Sequence, residues 1–112
     1  MKELDILVEK ISIDKLESLE EKHGIEINVN AFCEYDEFNE EFKARIIGEV
    51  FGEISYDVKI ILSIYNENGE IIGTDYSVIN EESFEGIQPF EENIFAPKGE
   101  RIAKLRVYPQ KY

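Results

Sequence analysis

Residues 55–79 of the chain read SYDVKIILSIYNENGEIIGTDYSVI, two strand-like runs joined by a turn at Asn66–Gly69. In the first run apolar side chains recur at every second position: Tyr56, Val58, Ile60, Leu62 and Ile64. Successive side chains of an extended chain point to opposite faces, so this period is typical of a half-buried strand. Gly69 can adopt the positive φ that tight hairpin turns need. The stretch therefore predicts a β-hairpin.

Alternation on both sides of this hairpin predicts further strands. Ile25 to Glu34 alternates cleanly, and Phe42 to Phe51 does so around Gly48, where we expect a bulge or a close backbone approach. The second arm of the hairpin is predicted to turn one face inward, with Ile72, Thr74, Tyr76 and Val78. Residues 84–95 read as a short strand plus a turn, and residues 102–108 as a last strand that Pro109 ends.

The N-terminal part of the chain is less regular. Leu4, Leu7 and Ile11 fit a helical stripe, but Leu7 and Ile11 also fit one face of a strand, so residues 4–13 stay ambiguous. Asp14 is a candidate N-cap for a short helix over residues 15–23, and Gly24 is its expected end. Leu16 and Leu19 are expected to face inward. Taken together, the chain predicts one domain over residues 1–112, an all-β antiparallel sandwich of about seven strands with one short N-terminal helix.

The charge of the chain restricts its partners. Twelve basic against 25 acidic residues give a formal net charge of −13. Nucleic acid is excluded as a partner, because binding to it depends on Lys and Arg displacing counterions, and an anionic membrane surface is disfavoured for the same reason. The field instead attracts a cationic protein or a divalent cation, unless the acidity serves solubility alone.

The location of the protein follows from cysteine content and hydropathy. Cys33 is the only cysteine, so no internal disulfide can form. No segment approaches the roughly 20 apolar residues of a membrane span, and residues 1–10 lack the apolar core of a signal peptide. We expect a soluble, cytoplasmic protein, or an extracytoplasmic one if the sequence is a piece of a longer anchored protein.

Candidates for chemistry are few. Residues 34–41 carry five carboxylates, and Asp36, Glu37 and Glu40 are the candidate ligands for a divalent cation, which in the case of calcium takes about six to eight oxygens. The alternative is a solvated hairpin loop whose charges discourage edge pairing. His23 and Cys33 are too few for a zinc site and lack a catalytic neighbour in sequence. No catalytic residue and no cofactor is predicted.

A strip of apolar side chains is the candidate interaction surface. Ile61 and Tyr65 fall on the polar side of the first hairpin strand, and Ile71 and Ile79 fall on the matching side of the second. If the two strands pair, these four residues form an exposed strip of the kind that marks interfaces. The alternative is that another segment of the chain covers it.

Residues 45–97 resemble the bacterial FxLYD-type immunoglobulin-like domains. The resemblance is carried by four short elements: Gly48-Glu49-Val50, Leu62 to Gly69, Ile71-Ile72-Gly73-Thr74, and Gly86 to Phe90. Leu62 stands where the family name has Phe, and Asn66 where it has Asp. The resemblance implies an immunoglobulin-like sandwich with a binding or spacer role, and it carries over no catalytic residue.

The function expected from the sequence is that of a non-catalytic protein-interaction module whose partner is an unidentified protein. Two alternatives stay open: a domain that binds a divalent cation or another ligand through the acidic 34–41 loop, and an acidic inhibitor or immunity-type protein that neutralises a basic partner. Self-association through a sheet edge or face also stays open.

Overall fold

The structure is a computed structural model that describes residues 8–112. These residues form eight strands and one helix. Their bounds are β1 Val8–Lys10, β2 Ser12–Lys15, α1 Glu17–His23, β3 Ile25–Asp36, β4 Glu41–Gly52, β5 Val58–Tyr65, β6 Ile71–Ile79, β7 Ile87–Phe95 and β8 Lys104–Lys111. The helix has seven residues, and no helix within residues 8–112 has the length and apolar character to cross a bilayer.

The strands form two four-stranded sheets. Sheet A has the order β1-β3-β4-β7, and sheet B has the order β2-β8-β5-β6. Neighbouring strands are antiparallel, except that β2 runs parallel to β8. Side chains from both sheets meet in one buried cluster, which includes Ile27, Ile46 and Val50 of sheet A and Ile60, Leu62 and Leu105 of sheet B. The all-β sandwich with one short helix is therefore confirmed, with eight strands among the described residues where about seven were predicted.

The hairpin of residues 55–79 forms as predicted, but the inward face of its second arm was predicted wrongly. Tyr65 pairs with Ile71 and Ile64 pairs with Gly73, so Ile72 is an extra residue between two paired positions. One extra residue reverses the alternation that follows it. Tyr76 is therefore on the solvent side, where it is 44% exposed. The residues that share the inner face with the first arm are Gly73, Asp75, Ser77 and Ile79.

Two prolines lie inside strands where the sequence predicted a turn and a strand end. Pro89 is within β7, a nine-residue strand at the edge of sheet A. Pro109 is within β8, which continues to Lys111. Strand β2 pairs with β8 only as far as Val107, so Pro109 has a strand partner on one side only. Because proline lacks an N–H, it is tolerated at such edges but not between two paired neighbours.

The N-terminal segment resolves the ambiguity of residues 4–13 in favour of strands over the part that is described; Leu4 and Leu7 lie outside the described residues. The helix forms close to its predicted range and ends at Gly24 with φ 73°, as expected. Asp14 is not its N-cap. The N-cap is Leu16, without a side-chain hydrogen bond, and Asp14 instead belongs to β2.

Candidate functional site

The outward-facing side of sheet B brings together aromatic, aliphatic and cationic side chains. Strand β5 buries Val58, Ile60 and Leu62 in the core, so its alternate residues point to the other side of sheet B, as do their partners on β6 and β8. Lys59, Ile61 and Tyr65 are partly exposed there, whereas Ser63 is only 5% exposed. We call this surface the sheet B outer face. Its residues are Lys59, Ile61, Ser63 and Tyr65 of β5, Ile71, Thr74, Tyr76 and Val78 of β6, Lys104, Arg106 and Tyr108 of β8, and Asp14 of β2.

Three of the four predicted interaction residues lie on this face. Ile61 is paired with Tyr76 on one side and Tyr108 on the other, and Tyr65 is paired with Ile71. Ile71 is 58% exposed, the largest fraction among the face's large apolar side chains. The fourth predicted residue, Ile79, is fully buried opposite Val58, so its inclusion in the strip was wrong. The extra residue at Ile72 is the reason.

Tyr65 is the centre of a cationic cluster. The ring centroid lies 4.8 Å from Lys104 Nζ and 5.1 Å from Arg106 Cζ, both within cation–π range. Arg106 Nη1 also donates to Tyr65 Oη at 3.3 Å, and Arg106 Nε donates to Asp14 Oδ2 at 2.8 Å. The hydrogen bond that Arg106 donates to Asp14 and the proximity of Tyr65 raise the pKa of Arg106 above its ordinary value. These contacts hold both cations against the ring.

A second cluster lies further along the same face. Lys59 Nζ is 5.1 Å from the ring centroid of Tyr76 and 5.5 Å from that of Tyr112. The two rings meet edge to face with centroids 6.2 Å apart. A hydrogen bond with Tyr112 raises the pKa of Tyr76. Lys59 therefore lies close to both aromatic rings.

Sequence reasoning missed the cationic half of this face. Lys104, Arg106 and Tyr108 alternate with Leu105 and Val107, so a signal that they face solvent was present. The alternation does not indicate which strand pairs with β8. Arg106 and Lys104 reach Tyr65 because β8 pairs with β5, and nothing in the local pattern specifies that pairing.

The acidic loop does not assemble the predicted cation site. Asp36 Oδ1 accepts hydrogen bonds from the backbone N–H groups of Phe38 and Asn39, and Asp36 Oδ2 accepts one from Asn39 Nδ2 at 2.7 Å. These bonds, the one from the Asn39 side chain first, lower the pKa of Asp36. Glu37 and Glu40 are exposed, and in residues 8–112 no three His, Cys, Asp or Glu side chains converge as metal ligands. Asp36 shapes the β3–β4 turn instead.

His23 and Cys33 have structural surroundings. His23 Nδ1 is 2.7 Å from Tyr56 Oη, and burial lowers the pKa of His23. Cys33 is buried in the core, and desolvation raises the pKa of its thiol, which opposes formation of the reactive thiolate. Neither residue lies on the sheet B outer face.

The opposite side of the sandwich offers a second surface, the sheet A outer face. It exposes Ile47, Ile87 and Phe95, and it contains an open depression of about 500 Å³. The depression is lined by Asn28, Asn30, Ile47, Gly48, Glu49, Pro89, Phe90 and Glu91. Two cations of this face are neutralised locally, because Arg45 pairs with Glu34 and Glu91 and Lys43 pairs with Glu34. The two faces thus differ in charge.

Comparisons of the chain with protein-family models, curated proteins and solved structures give no significant match. The function of this chain is therefore inferred from the residues described above.

Proposed function

We propose that this protein is a non-catalytic interaction module that binds a partner protein through the sheet B outer face. The observation that carries the proposal is the exposure of Ile71 and Tyr76 beside Ile61 and Tyr65 on one regular sheet surface. Aromatic side chains with a polar tip are enriched at protein interfaces, because they contribute large contact area and a hydrogen-bonding group at low conformational cost.

The packing beneath the surface supports this role. All four of these residues lie in or next to the β5–β6 pair, whose inner side is packed into the core through Val58, Ile60 and Leu62. A surface that is held in place before binding loses little conformational freedom when a partner arrives. Loops would lose more conformational freedom in making the same contacts.

We further propose that the sandwich is immunoglobulin-like and related to the FxLYD-type domains. The chain order supports it. The β3–β4 hairpin lies in sheet A, the chain crosses to the β5–β6 hairpin in sheet B, and it then returns to β7 beside β4 and crosses to β8 beside β5. Such crossings between two packed sheets are the Greek-key connections of immunoglobulin-like sandwiches. A binding or spacer role fits that class.

Binding, and not catalysis, is the role that the side chains of the sheet B outer face support. Its polar groups are those of lysine, arginine, tyrosine, serine, threonine and the Arg106-bound Asp14, without a histidine or cysteine among them. General acid–base or nucleophilic catalysis needs a base within hydrogen-bond reach of a nucleophile and a bound substrate. We propose no cofactor for this face.

The test is capture of a partner from native lysate with three forms of the full chain. The first is the wild type, the second is the double variant Tyr65→Ala/Ile71→Ala, and the third is the matched control Ile87→Ala/Phe95→Ala on the sheet A outer face. We expect a protein that binds the wild type and the control but not the double variant. Loss of binding in the control alone would assign the interface to sheet A and contradict the proposal.

Two further readouts separate the other candidate roles. A partner that binds through the acidic 34–41 loop would be released by Glu37→Gln/Glu40→Gln and unaffected by the change at Tyr65 and Ile71. Self-association would appear as a concentration-dependent mass in light scattering. A circular dichroism melt of each variant checks that the fold is retained, since loss of several kcal/mol would show that the replaced side chains belong to the core.

A further inference from the structure

We propose that the partner segment bound by the sheet B outer face is a short acidic peptide segment whose carboxylates contact Lys59, Lys104 and Arg106. This inference rests on the proposed function and adds the chemistry of the partner. It reverses the expectation from net charge, which favours a cationic partner for the chain as a whole.

The charge of the face differs in sign from that of the whole chain. The face has three cationic side chains, those of Lys59, Lys104 and Arg106, and one carboxylate, that of Asp14. Asp14 is bound to Arg106. Within residues 8–112, no carboxylate lies within ion-pair distance of Lys59 or Lys104. Positive charge is therefore left over for a ligand on a protein whose net charge is −13.

The same comparison makes the sheet A outer face a poorer match for an acidic ligand. Lys43 also lies against an aromatic ring, that of Phe95, at 5.9 Å from its centroid. However, Lys43 is 3.8 Å from a carboxylate oxygen of Glu34, which Arg45 shares at 3.7 Å. Glu91 accepts a further contact from Arg45. An incoming carboxylate would compete there with carboxylates already present.

The tyrosine rings restrict the lysine side chains before a ligand binds. A free lysine side chain loses rotamer entropy when it is immobilised. Lys104 and Lys59 already rest on the rings of Tyr65 and Tyr76, so part of that loss precedes binding. The ring attracts the positive charge through its face and accepts no more than part of the ammonium's three N–H donors. The remaining donors are available to a carboxylate.

The spacing of the cations sets the length of the ligand. Lys59 and Tyr65 are six positions apart on β5, and Lys104 and Arg106 lie against the ring of Tyr65. At about 3.3 Å per residue this is about 20 Å, the span of roughly seven extended residues. Ile61 lies between the two clusters, with Ile71 beside Tyr65. The matching segment therefore has acidic residues at both ends and apolar residues between them.

A long polyanion fits this arrangement less well than a short segment. Nucleic acid would satisfy the cations and stack on tyrosines, as it does on other sheet surfaces. A nucleic acid strand longer than the face would continue past it along a protein surface dominated by carboxylates, where each phosphate is repelled. A segment of about seven residues ends within the face.

The experiment is an amide NMR titration of the full chain, labelled with ¹⁵N, with defined probes. The probe peptide has seven residues, blocked at both ends, with two glutamates at each end and three leucines between. Its counterpart has lysine in place of each glutamate, and a hexathymidine oligonucleotide is the third probe. We expect the glutamate peptide alone to shift the amide signals of Lys59, Tyr65, Ile71 and Lys104. We expect binding to weaken when salt is raised from about 0.05 M to about 0.5 M, because surface charges are then screened.

Two variants locate the charge dependence. Lys104→Ala should weaken binding of the glutamate peptide by about 3-fold to 5-fold, which is the effect of losing one exposed ion pair. The matched variant Lys43→Ala, which removes a lysine from a phenylalanine ring on the opposite face, should leave the affinity unchanged. Both replaced side chains are partly exposed, so both variants are expected to fold.

Each contrary result has a distinct meaning. Equal binding of the lysine peptide at the same amides would overturn the acidic assignment and leave the sheet B outer face as the docking surface. Tighter binding of the oligonucleotide at those amides would show that the ligand of this face is a nucleic acid and not a peptide. Shifts on the sheet A outer face, or no shifts with any probe at about 5 mM, where contacts of millimolar strength are populated, would overturn the inference. The capture experiment with Tyr65→Ala/Ile71→Ala then tests the proposed function separately.

Discussion

Asn66 Nδ2 donates a hydrogen bond to Glu100 Oε1 at 2.8 Å and so ties the β5–β6 turn to the loop between β7 and β8. The same nitrogen donates to Glu70 Oε1 at 2.8 Å, and Asn66 Oδ1 accepts from the backbone N–H groups of Asn68 and Glu70. Asn66 is almost completely buried, and its amide uses both donors. The turn that begins after Tyr65 is therefore fixed by an amide between two glutamates.

The first prediction concerns that amide. Asn66→Asp should destabilise the protein by about 2–4 kcal/mol, because it removes both donors and places a carboxylate against Glu70 and Glu100. Urea unfolding followed by circular dichroism measures the loss. Asn68→Asp is the control, since it makes the same change at an exposed position of the same turn. Equal effects of the two variants would contradict the role given to Asn66.

The second prediction concerns the close approach at Gly48. A Cβ atom at Gly48 would lie 2.5 Å from Phe90 Cζ and 2.8 Å from the backbone oxygen of Asn28. Gly48→Ala should therefore destabilise the protein by about 1–3 kcal/mol through overpacking. Thermal unfolding measures the effect. Gly48→Ala/Phe90→Leu should recover only part of it, because the backbone oxygen stays in place; full recovery would show that the ring alone excludes the methyl group.

The third prediction concerns backbone conformation in the acidic loop. Glu40 has φ 55° and is the one non-glycine residue with positive φ among residues 8–112. Glycine adopts this conformation without the steric cost that a side chain incurs. Glu40→Gly should raise the free energy of unfolding by about 0.5–1 kcal/mol. Glu37→Gly, in the same loop but with negative φ, should lower it, and a gain in both variants would instead implicate charge.

The fourth prediction concerns pH and Glu92. Burial and the nearby charge of Asp75 raise the pKa of Glu92 above its ordinary value of 4.5. The folded protein therefore holds this proton more tightly than the unfolded chain, so the stability that it contributes is present below pH 4.5 and is lost as pH rises through the folded pKa. Glu92→Gln should remove this loss and raise Tm at neutral pH more than at pH 4. Glu85→Gln, an exposed control, should not.

The fifth prediction concerns divalent cations. Calcium at about 5 mM should leave Tm unchanged relative to a chelator, because a ligand raises Tm only when it binds the native state. The physical reason is that both Asp36 oxygens already accept hydrogen bonds from Phe38 and Asn39. A clear rise in Tm that Glu37→Gln/Glu40→Gln abolishes would instead show that the acidic loop binds a cation.

Elements that depend on local pattern were predictable from the chain. The alternation of Val58, Ile60, Leu62 and Ile64 specified a strand with one buried face, and that face is buried. Gly24 ended the helix and Gly69 formed the hairpin turn, both with positive φ. Ile61 and Tyr65 were assigned to the outer face correctly, because they occupy alternate positions to a buried set. Each of these features is a property of a few consecutive residues.

Features that depend on pairing were not predictable in the same way. A single unpaired residue, Ile72, moved Ile79 into the core and Tyr76 to the surface. Pro89 and Pro109 lie in strands because each occupies a position without a strand on one side, which only the sheet order reveals. Asp14, expected to cap the helix, instead binds Arg106, which is 92 positions away in sequence.

The amino-acid sequence alone determined that the chain forms alternating strands with a buried face, because side-chain direction in a strand is set by the backbone of that strand. The tertiary structure alone decided that Lys104 and Arg106 lie on Tyr65 and that a cationic surface exists on an acidic protein. The physical reason is that the neighbours of a strand are chosen by packing and register across the whole sheet, and these involve residues far apart along the chain.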